Sequence, residues 1–394
     1  GYASQYSGMS SCGISAIDDG RDPGNLAFDM PRAPSAGRAF VPIFASTRFE
    51  GKLDLDAFSE RRAIWMDPQT GGAGPSTRWV RRAGVWAHDR FLGALAARFR
   101  GPLSRGDTGR LLKMVRSIRR WHEFLDRPSA AEMASAMSAV SLGRDVLNGV
   151  YAEEFRAAGS MSDAALVYVH GGSFVAERSP RLTALIARLA VAARMPVLAI
   201  DYRLAPEHPF PAAIDDVENG IVELLARGLS ARRIAVVAES AGAAIALAAL
   251  NRVAAKGAHL AGAVLLSPWV DLTLGGRNVR GTFSFTGGAP DATFICAQLY
   301  LQGQDPADPM ASPVFGDLAG LPPIQIHSSR TDALRSDAAL LAERLEAAGN
   351  QYALKVWRNG GHVFERFFGD QSDQSLKEAA IFLRRSVDRG QAAQ

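Results

Sequence analysis

The chain has 394 residues, 47% of them hydrophobic, which is ample for a large core with an appended region. Its only cysteines, Cys12 and Cys296, exclude a disulfide framework and suit a reducing, cytoplasmic setting. Net charge is +4, but residues 78–127 carry 13 Lys or Arg against 4 Asp or Glu, leaving −5 for the rest; a solvated basic helix face explains this better than nucleic acid or acidic lipid.

The opening "GYASQYSGMSSCG" lacks a positive start and an apolar stretch, so no secretory signal is expected, and the missing initiator Met points to a processed or trimmed start. Residues 1–75 are rich in Gly, Ser, Pro and Asp ("DDGRDPG", "PRAPSAG", "DPQTGGAGPS") and read as irregular. Residues 76–140 read as a helical N-terminal or cap region. Within it, Leu111, Met114, Val115, Ile118, Trp121 and Leu125 follow helical spacing over 109–125, opposite an arginine-rich face. Such a helix can pack on the core, act as a lid or lie on a membrane surface; packing is the commoner fate. The run 185–200 is too short to span a membrane and is interrupted by Arg188 and Arg194.

From about residue 163 the pattern changes. Short apolar runs at 164–170, 196–201, 233–240, 262–267, 323–329 and 352–357 alternate with helical stretches. That alternation predicts an α/β fold with a mostly parallel sheet covered by helices on both faces. Active sites in such sheets gather at the carboxyl ends of the strands.

"VVAESAGAAIA" (236–246) ends one predicted strand at Ser240 and starts a helix. This is the strand–turn–helix setting of a nucleophile elbow, with Ala238, Ala241, Gly242 and Ala243 supplying small neighbours. A buried serine capping a helix would look much the same. "VYVHGGSF" (167–174) ends another strand, and its glycines allow backbone N–H groups to converge on one point. Together with the N–H of Ala241 they could hold an oxyanion; an ordinary glycine loop is the alternative. Asp332 and His362 follow the last two predicted strands, so the order Ser240, Asp332, His362 is that of an α/β-hydrolase. Asp337 rivals Asp332, but a helix start explains it better. For His88, His122, His208, His259 and His327, structural or exposed roles are expected.

Taken together, "HGGSF", "DYRLAPEHPFPAA", "ESAGA", "LLSPWVDLT", "DPMASP", "LPPIQIHSSRTDAL" and "GGHVF" resemble the bacterial hormone-sensitive-lipase-like esterases over roughly 160–385. The resemblance implies an α/β-hydrolase fold with a mainly helical cap and cofactor-free ester hydrolysis. It implies Ser240 as nucleophile, Asp332 as acid, His362 as base, and Gly171, Gly172 and Ser173 as the oxyanion loop. The chain departs from the family at Ser173, Ala238, Ala243 and Ser329, where glycines are usual. The two opening strands the family implies are hard to see in 141–162, which leaves one sheet edge in doubt. In "DYRLAPEHPFPAA", three prolines prevent helix until Ala212, while Asp201, Tyr202, Arg203, Glu207 and His208 are expected to brace the oxyanion loop.

These readings divide the chain into 1–75, 76–140 and a catalytic domain at 141–394, with a cap insertion near 272–303. Phe285, Phe294 and Tyr300 in that insertion, with Phe283 and Leu299, are candidates for an apolar pocket or for cap core. The expected reaction is hydrolysis of short- to medium-chain carboxylic esters through an acyl-enzyme. A lactonase, thioesterase or amidase would use the same residues, and a non-catalytic ligand-binding homologue is the other alternative. The partner is a small-molecule ester, with no metal or other cofactor, no nucleic acid and no stable membrane insertion. The chain is expected to be a monomer or homodimer.

Overall fold

The computed structural model describes residues 64–66, 108–275, 289–358 and 360–392. After a short strand β1 (Ile64–Met66), helix α1 (Thr108–Arg120) runs into one π-helical turn, Trp121–Leu125, and α2 (Ala130–Met137) follows. Helix α2 opens on a capping box: Glu132 N–H donates to Ser129 Oγ at 3.2 Å, and Ser129 N–H donates to Glu132 Oε2 at 2.8 Å. Then come β2 (Val140–Leu147), β3 (Val150–Ala157), β4 (Ala165–Val169), α3 (Pro180–Ala193), β5 (Val197–Ile200) and α4 (Ala212–Ala226). The chain continues through β6 (Ile234–Glu239), α5 (Gly242–Ala255), β7 (Gly262–Leu266), α6 (Ala289–Leu301), β8 (Ile324–Ser329), α7 (Arg335–Ala347), β9 (Tyr352–Trp357) and α8 (Asp370–Ala392).

Among the described residues the strands form one sheet in the order β1-β9-β8-β7-β6-β4-β5-β3-β2. All neighbours are parallel except β2–β3 and β3–β5. Two expectations are corrected here. The opening strands are present as a β2–β3 hairpin, closed by Asn148-Gly149 with φ of 49° and 85°. That dipeptide suits a two-residue turn requiring positive φ at both positions. Ile64–Met66, within the stretch read as irregular, pairs with β9 at the opposite edge. The rest of 1–75 lies outside the described residues.

Each central strand serves two cores. In β6, Ile234, Val236 and Ala238 face one apolar cluster, shared with α1, α4, α5 and α7. Ala235 and Val237 face the other, shared with α2, α3 and α8. β4 and β7 alternate in the same way. Burial on both faces explains the unbroken apolar runs, since each large side chain contributes about 1.5–3 kcal/mol on leaving water.

After β4 the chain pairs β5 on one side, then crosses to lay β6 on the other. The β4/β6 boundary is therefore a topological switch point, where loops diverge and leave a crevice. Val169 pairs with Ala238, so His170–Ser173 emerges beside Glu239 and Ser240.

Candidate active site

Ser240 sits at the tip of the turn from β6 into α5, with φ +52°. A left-handed serine is strained, and close packing holds it there. Its N–H donates to Leu266 O at 3.0 Å and its carbonyl accepts from Trp269 N–H at 3.0 Å. Gly242 is required by close approach: a Cβ there would meet His170 O at 2.6 Å and run into Val169 O. Gly171 is equally confined, since a Cβ would stand 2.5 Å from Glu239 Oε2 and 2.9 Å from Ser240 Cβ. Ala238 and Ala243, in place of the family's glycines, are fully buried in the core without disturbing this turn.

Ser240 Oγ lies 2.9 Å from His362 Nε2, and His362 Nδ1 lies 3.1 Å from Asp332 Oδ1. The sequence separations are 122 and 30 residues, and the sheet brings all three side chains to its carboxyl edge. Asp332 is buried; its Oδ1 also accepts from Leu334 N–H at 2.9 Å. Burial pulls the His362 pKa down, but the Asp332 carboxylate more than compensates and holds it above its ordinary 6.5. Asp337 does not join them. It lies in the first turn of α7, but its Oδ2 accepts from the N–H groups of Val270 and Asp271, each at 3.0 Å, and ties down the loop after β7.

A protein-family model described as an α/β-hydrolase fold matches residues 166–366. An acetyl-hydrolase of Streptomyces hygroscopicus is 35% identical over 57% of this chain and 77% of its own length. An esterase of Acinetobacter venetianus is 32% identical over 60% of this chain and 79% of its own. A crystal structure of an esterase from the bacterial hormone-sensitive lipase family superposes with a TM-score of 0.62 at 32% identity, covering 70% of this chain and 98% of that one. This chain belongs to that family of α/β-hydrolase-fold esterases.

The remaining parts of this esterase's site are built from its backbone. Gly172 has φ +118°, and a Cβ there would run into Ala176 O. Ser173 and Phe174 follow at φ +55° and +66°, two consecutive non-glycine residues in the left-handed region. The loop is braced from below, where Tyr202 stacks on His170 at 4.3 Å and its hydroxyl donates to His170 O at 2.6 Å. Of the other side chains expected to brace it, Arg203 pairs instead with Asp216 on α4, whereas Glu207 acts through Arg119 on α1, whose Nε donates to Val175 O at 2.7 Å just past the loop. Among the described residues the N–H groups of Gly172, Ser173 and Ala241 have no acceptor. Gly171 is a correction. Its N–H donates to Glu239 Oε1, so it is not available to a ligand. Burial pushes the Glu239 carboxyl up to about 7, partly offset by that hydrogen bond.

A cavity of about 60 Å³ opens over Ser240 and is walled by Ile118, His122, Leu182, Thr293, Cys296 and Arg366, with the loop residues beneath. The pocket expectations need correcting. Phe285 and Phe283 lie outside the described residues. Phe294 turns outward at 40% exposure, whereas Thr293 and Cys296, three residues apart on α6, face the cavity. Tyr300, about a turn beyond Cys296, is buried and stacks on Phe174 at 4.1 Å. The rule that found the apolar positions of α6 does not say which of them face a ligand. Burial pushes the Cys296 thiol up to about 12, which keeps it protonated and unreactive.

Among the histidines assigned structural or exposed roles, His122 instead walls the cavity, carried there by the π-helical turn after α1. His327 is buried, with Nδ1 2.8 Å from Ser375 Oγ and Nε2 2.9 Å from Gln325 Oε1. His88 lies outside the described residues. Sequence reasoning also missed the hydroxyls that anchor the His362 loop. Val363 N–H donates to Ser267 Oγ at 2.9 Å, and Gly361 N–H donates to Ser329 Oγ and Thr331 Oγ1, each at 3.0 Å. Ser329, one of the family departures, thus links the loop bearing Asp332 to the loop bearing His362.

Proposed function

We propose that Ser240 is the nucleophile of a carboxylesterase that works through an acyl-enzyme. The observation that carries this reading is the continuous relay Ser240 Oγ–His362 Nε2–His362 Nδ1–Asp332 Oδ1, at 2.9 and 3.1 Å. His362 takes the hydroxyl proton as Ser240 attacks the ester carbonyl. Asp332 keeps the second imidazole proton on Nδ1 and stabilises the imidazolium. The N–H groups of Gly172, Ser173 and Ala241 receive the carbonyl oxygen as it becomes an oxyanion. His362 then protonates the departing alcohol. In the second half-reaction it draws a proton from water, which attacks the acyl-serine; the proton then passes to Ser240 Oγ as the bond to the acyl carbon breaks and the carboxylic acid leaves.

The cavity's small volume favours short acyl chains over long ones. In this reading residues 76–140 and 272–303 supply the cap over a catalytic domain at 141–394. Every group the reaction uses comes from one chain, so a monomer or a homodimer would serve. A free, buried Cys296 fits a reducing cytosol.

The test is a panel of p-nitrophenyl esters of increasing acyl length, run on the parent protein and on Ser240→Ala. Turnover should favour acetate and butyrate, and the variant should lose about six decades of kcat. Comparable rates for the two proteins would exclude Ser240 as nucleophile.

A further inference from the structure

The basic helix is more than a solvated face. Along α1 and its π-helical turn, Lys113, Arg116, Arg120 and Phe124 are exposed at spacings of three or four residues, and Arg127 is exposed in the loop just beyond the turn, where its Nε donates to Glu123 O at 2.6 Å. Helical spacing places the first four on one stripe, and the contact of Arg127 with the Phe124 ring sets it beside them. Met114, Val115, Ile118 and Trp121 occupy the opposite, buried side. Among the described residues none of the four cations pairs with a carboxylate, whereas Arg119, just off the stripe, is held by Glu207 through two bonds of 2.7 and 2.8 Å. The exposed acid beside the stripe is Glu123. Phe124 is 55% exposed, and the Arg127 guanidinium lies 5.3 Å from the centre of its ring. Phe294 adds a second exposed ring at 40%, next to the cavity-lining Thr293.

We infer that this stripe docks the esterase on an anionic phospholipid bilayer, with the four cations at the headgroups and Phe124 in the interfacial layer. Three observations favour this partner. Among the described residues the cations have no carboxylate partner, and Lys113, Arg116 and Arg120 are in line, so they can meet a plane of negative charge together. A phenylalanine interrupts them, as in interfacial helices that combine basic residues with apolar anchors. The same helix walls the cavity over Ser240 through Ile118 and His122, so docking sets the cavity beside the layer into which apolar esters partition. Among the described residues no helix is long and apolar enough to cross a membrane. The contact is therefore peripheral and reversible.

The test is co-sedimentation of the full chain with phosphatidylcholine vesicles, with and without about 30% phosphatidylglycerol, at roughly 0.05 and 0.5 M salt. Binding should need the anionic lipid and disappear at the higher salt. Arg116→Gln with Arg120→Gln should weaken it about 25-fold, at roughly fivefold per cation. Phe124→Ala should weaken it several-fold. Arg232→Gln with Lys377→Gln, the same charge change at exposed positions elsewhere, should leave it unchanged. All these variants should hydrolyse p-nitrophenyl acetate in solution at the parent rate, which shows that they fold. Ser240→Ala should bind vesicles like the parent, so docking and catalysis are tested separately. Equal binding to neutral vesicles, none at low salt, full retention in the double arginine variant, or tighter binding to a DNA duplex than to the vesicles would each overturn the inference.

Discussion

The two halves of the active site are held in different ways. On the nucleophile side, the turn after β6 and the loop after β4 are fixed by backbone sterics. Ser240, Gly172, Ser173 and Phe174 all have positive φ, and Gly171 and Gly242 leave no space for a Cβ. On the acid–base side Ser267, Gly361 and Val363 also have positive φ, but the loops after β7, β8 and β9 are in addition tied to one another by side-chain hydrogen bonds through Ser267, Ser329, Thr331 and Asp332. A nucleophile must be presented at a sharp point, which demands small residues. An imidazole must reach across from another strand, which suits polar tethers between the loops that carry it and its partner.

The sharpest way to break that contrast is at Asp332. Asp332→Asn should cut kcat by about 10⁴ by favouring the wrong imidazole tautomer. In the parent, the raised pKa of His362 should put the acid limb of the kcat/KM profile above 6.5, because in the proposed mechanism only neutral imidazole accepts the serine proton. The residual activity of the variant should show that limb moved to lower pH. An unmoved limb would mean that another group sets it.

Glu365, buried on the acid–base side, gives the next largest effect. Burial pushes its carboxyl from 4.5 up to about 7, while Ser375 Oγ donates to it at 2.8 Å. A buried acid with a raised pKa favours the folded state most when protonated, so its contribution is lost as pH rises from about 4.5 to about 7. Glu365→Gln cannot ionise. Relative to the parent it should gain on the order of 3 kcal/mol in urea unfolding between about pH 4 and about pH 8. A difference independent of pH would contradict the shift.

On the nucleophile side, Gly242→Ala should cost about 3 kcal/mol of stability, as overpacking does, and remove most of the activity. Loss of activity with an unchanged melting temperature would locate the clash in the site alone. The smallest effect is at a tether. Ser267→Ala leaves the N–H of Val363 without its acceptor and should cost about 1–2 kcal/mol. It should lower kcat several-fold with little change in KM, and steady-state kinetics on p-nitrophenyl acetate would check it.

The same contrast explains what was legible in the sequence. Steric demands leave small residues in fixed order, so "HGGSF" and "ESAGA" pointed to Gly171, Gly172, Ser173, Ser240 and Ala241. Double-sided burial left apolar runs, so the six strands from β4 to β9 were readable to within a residue or two at each end. Tethers leave no such trace. Ser267 and Ser329 look like any other serines until the fold sets them beside the His362 loop. The β2–β3 hairpin was obscured because its exposed strand carries Ser141, Arg144 and Asp145 rather than an apolar run, although Asn148-Gly149 marked its turn. The choice between pocket and cap core at Phe294 and Tyr300 was not legible for a geometric reason: helical period identifies faces, but not which face meets a cavity. His122 shows the same limit, since a π-helical turn changes the direction of side chains without changing composition.

The division of the central strands β4, β6 and β7 between two apolar clusters bears on how this enzyme could be re-engineered. The side chains proposed for catalysis occupy neither cluster; they follow the carboxyl ends of β6, β8 and β9. Apart from Leu182 at the start of α3, which walls the cavity, the layer packed under α2, α3 and α8 can therefore be redrawn for heat tolerance with little effect on chemistry. The layer shared with α1 reaches Ile118 and Cys296, so the same changes there would alter which esters are accepted. One sheet thus gives a designer a face for durability and a face for selectivity.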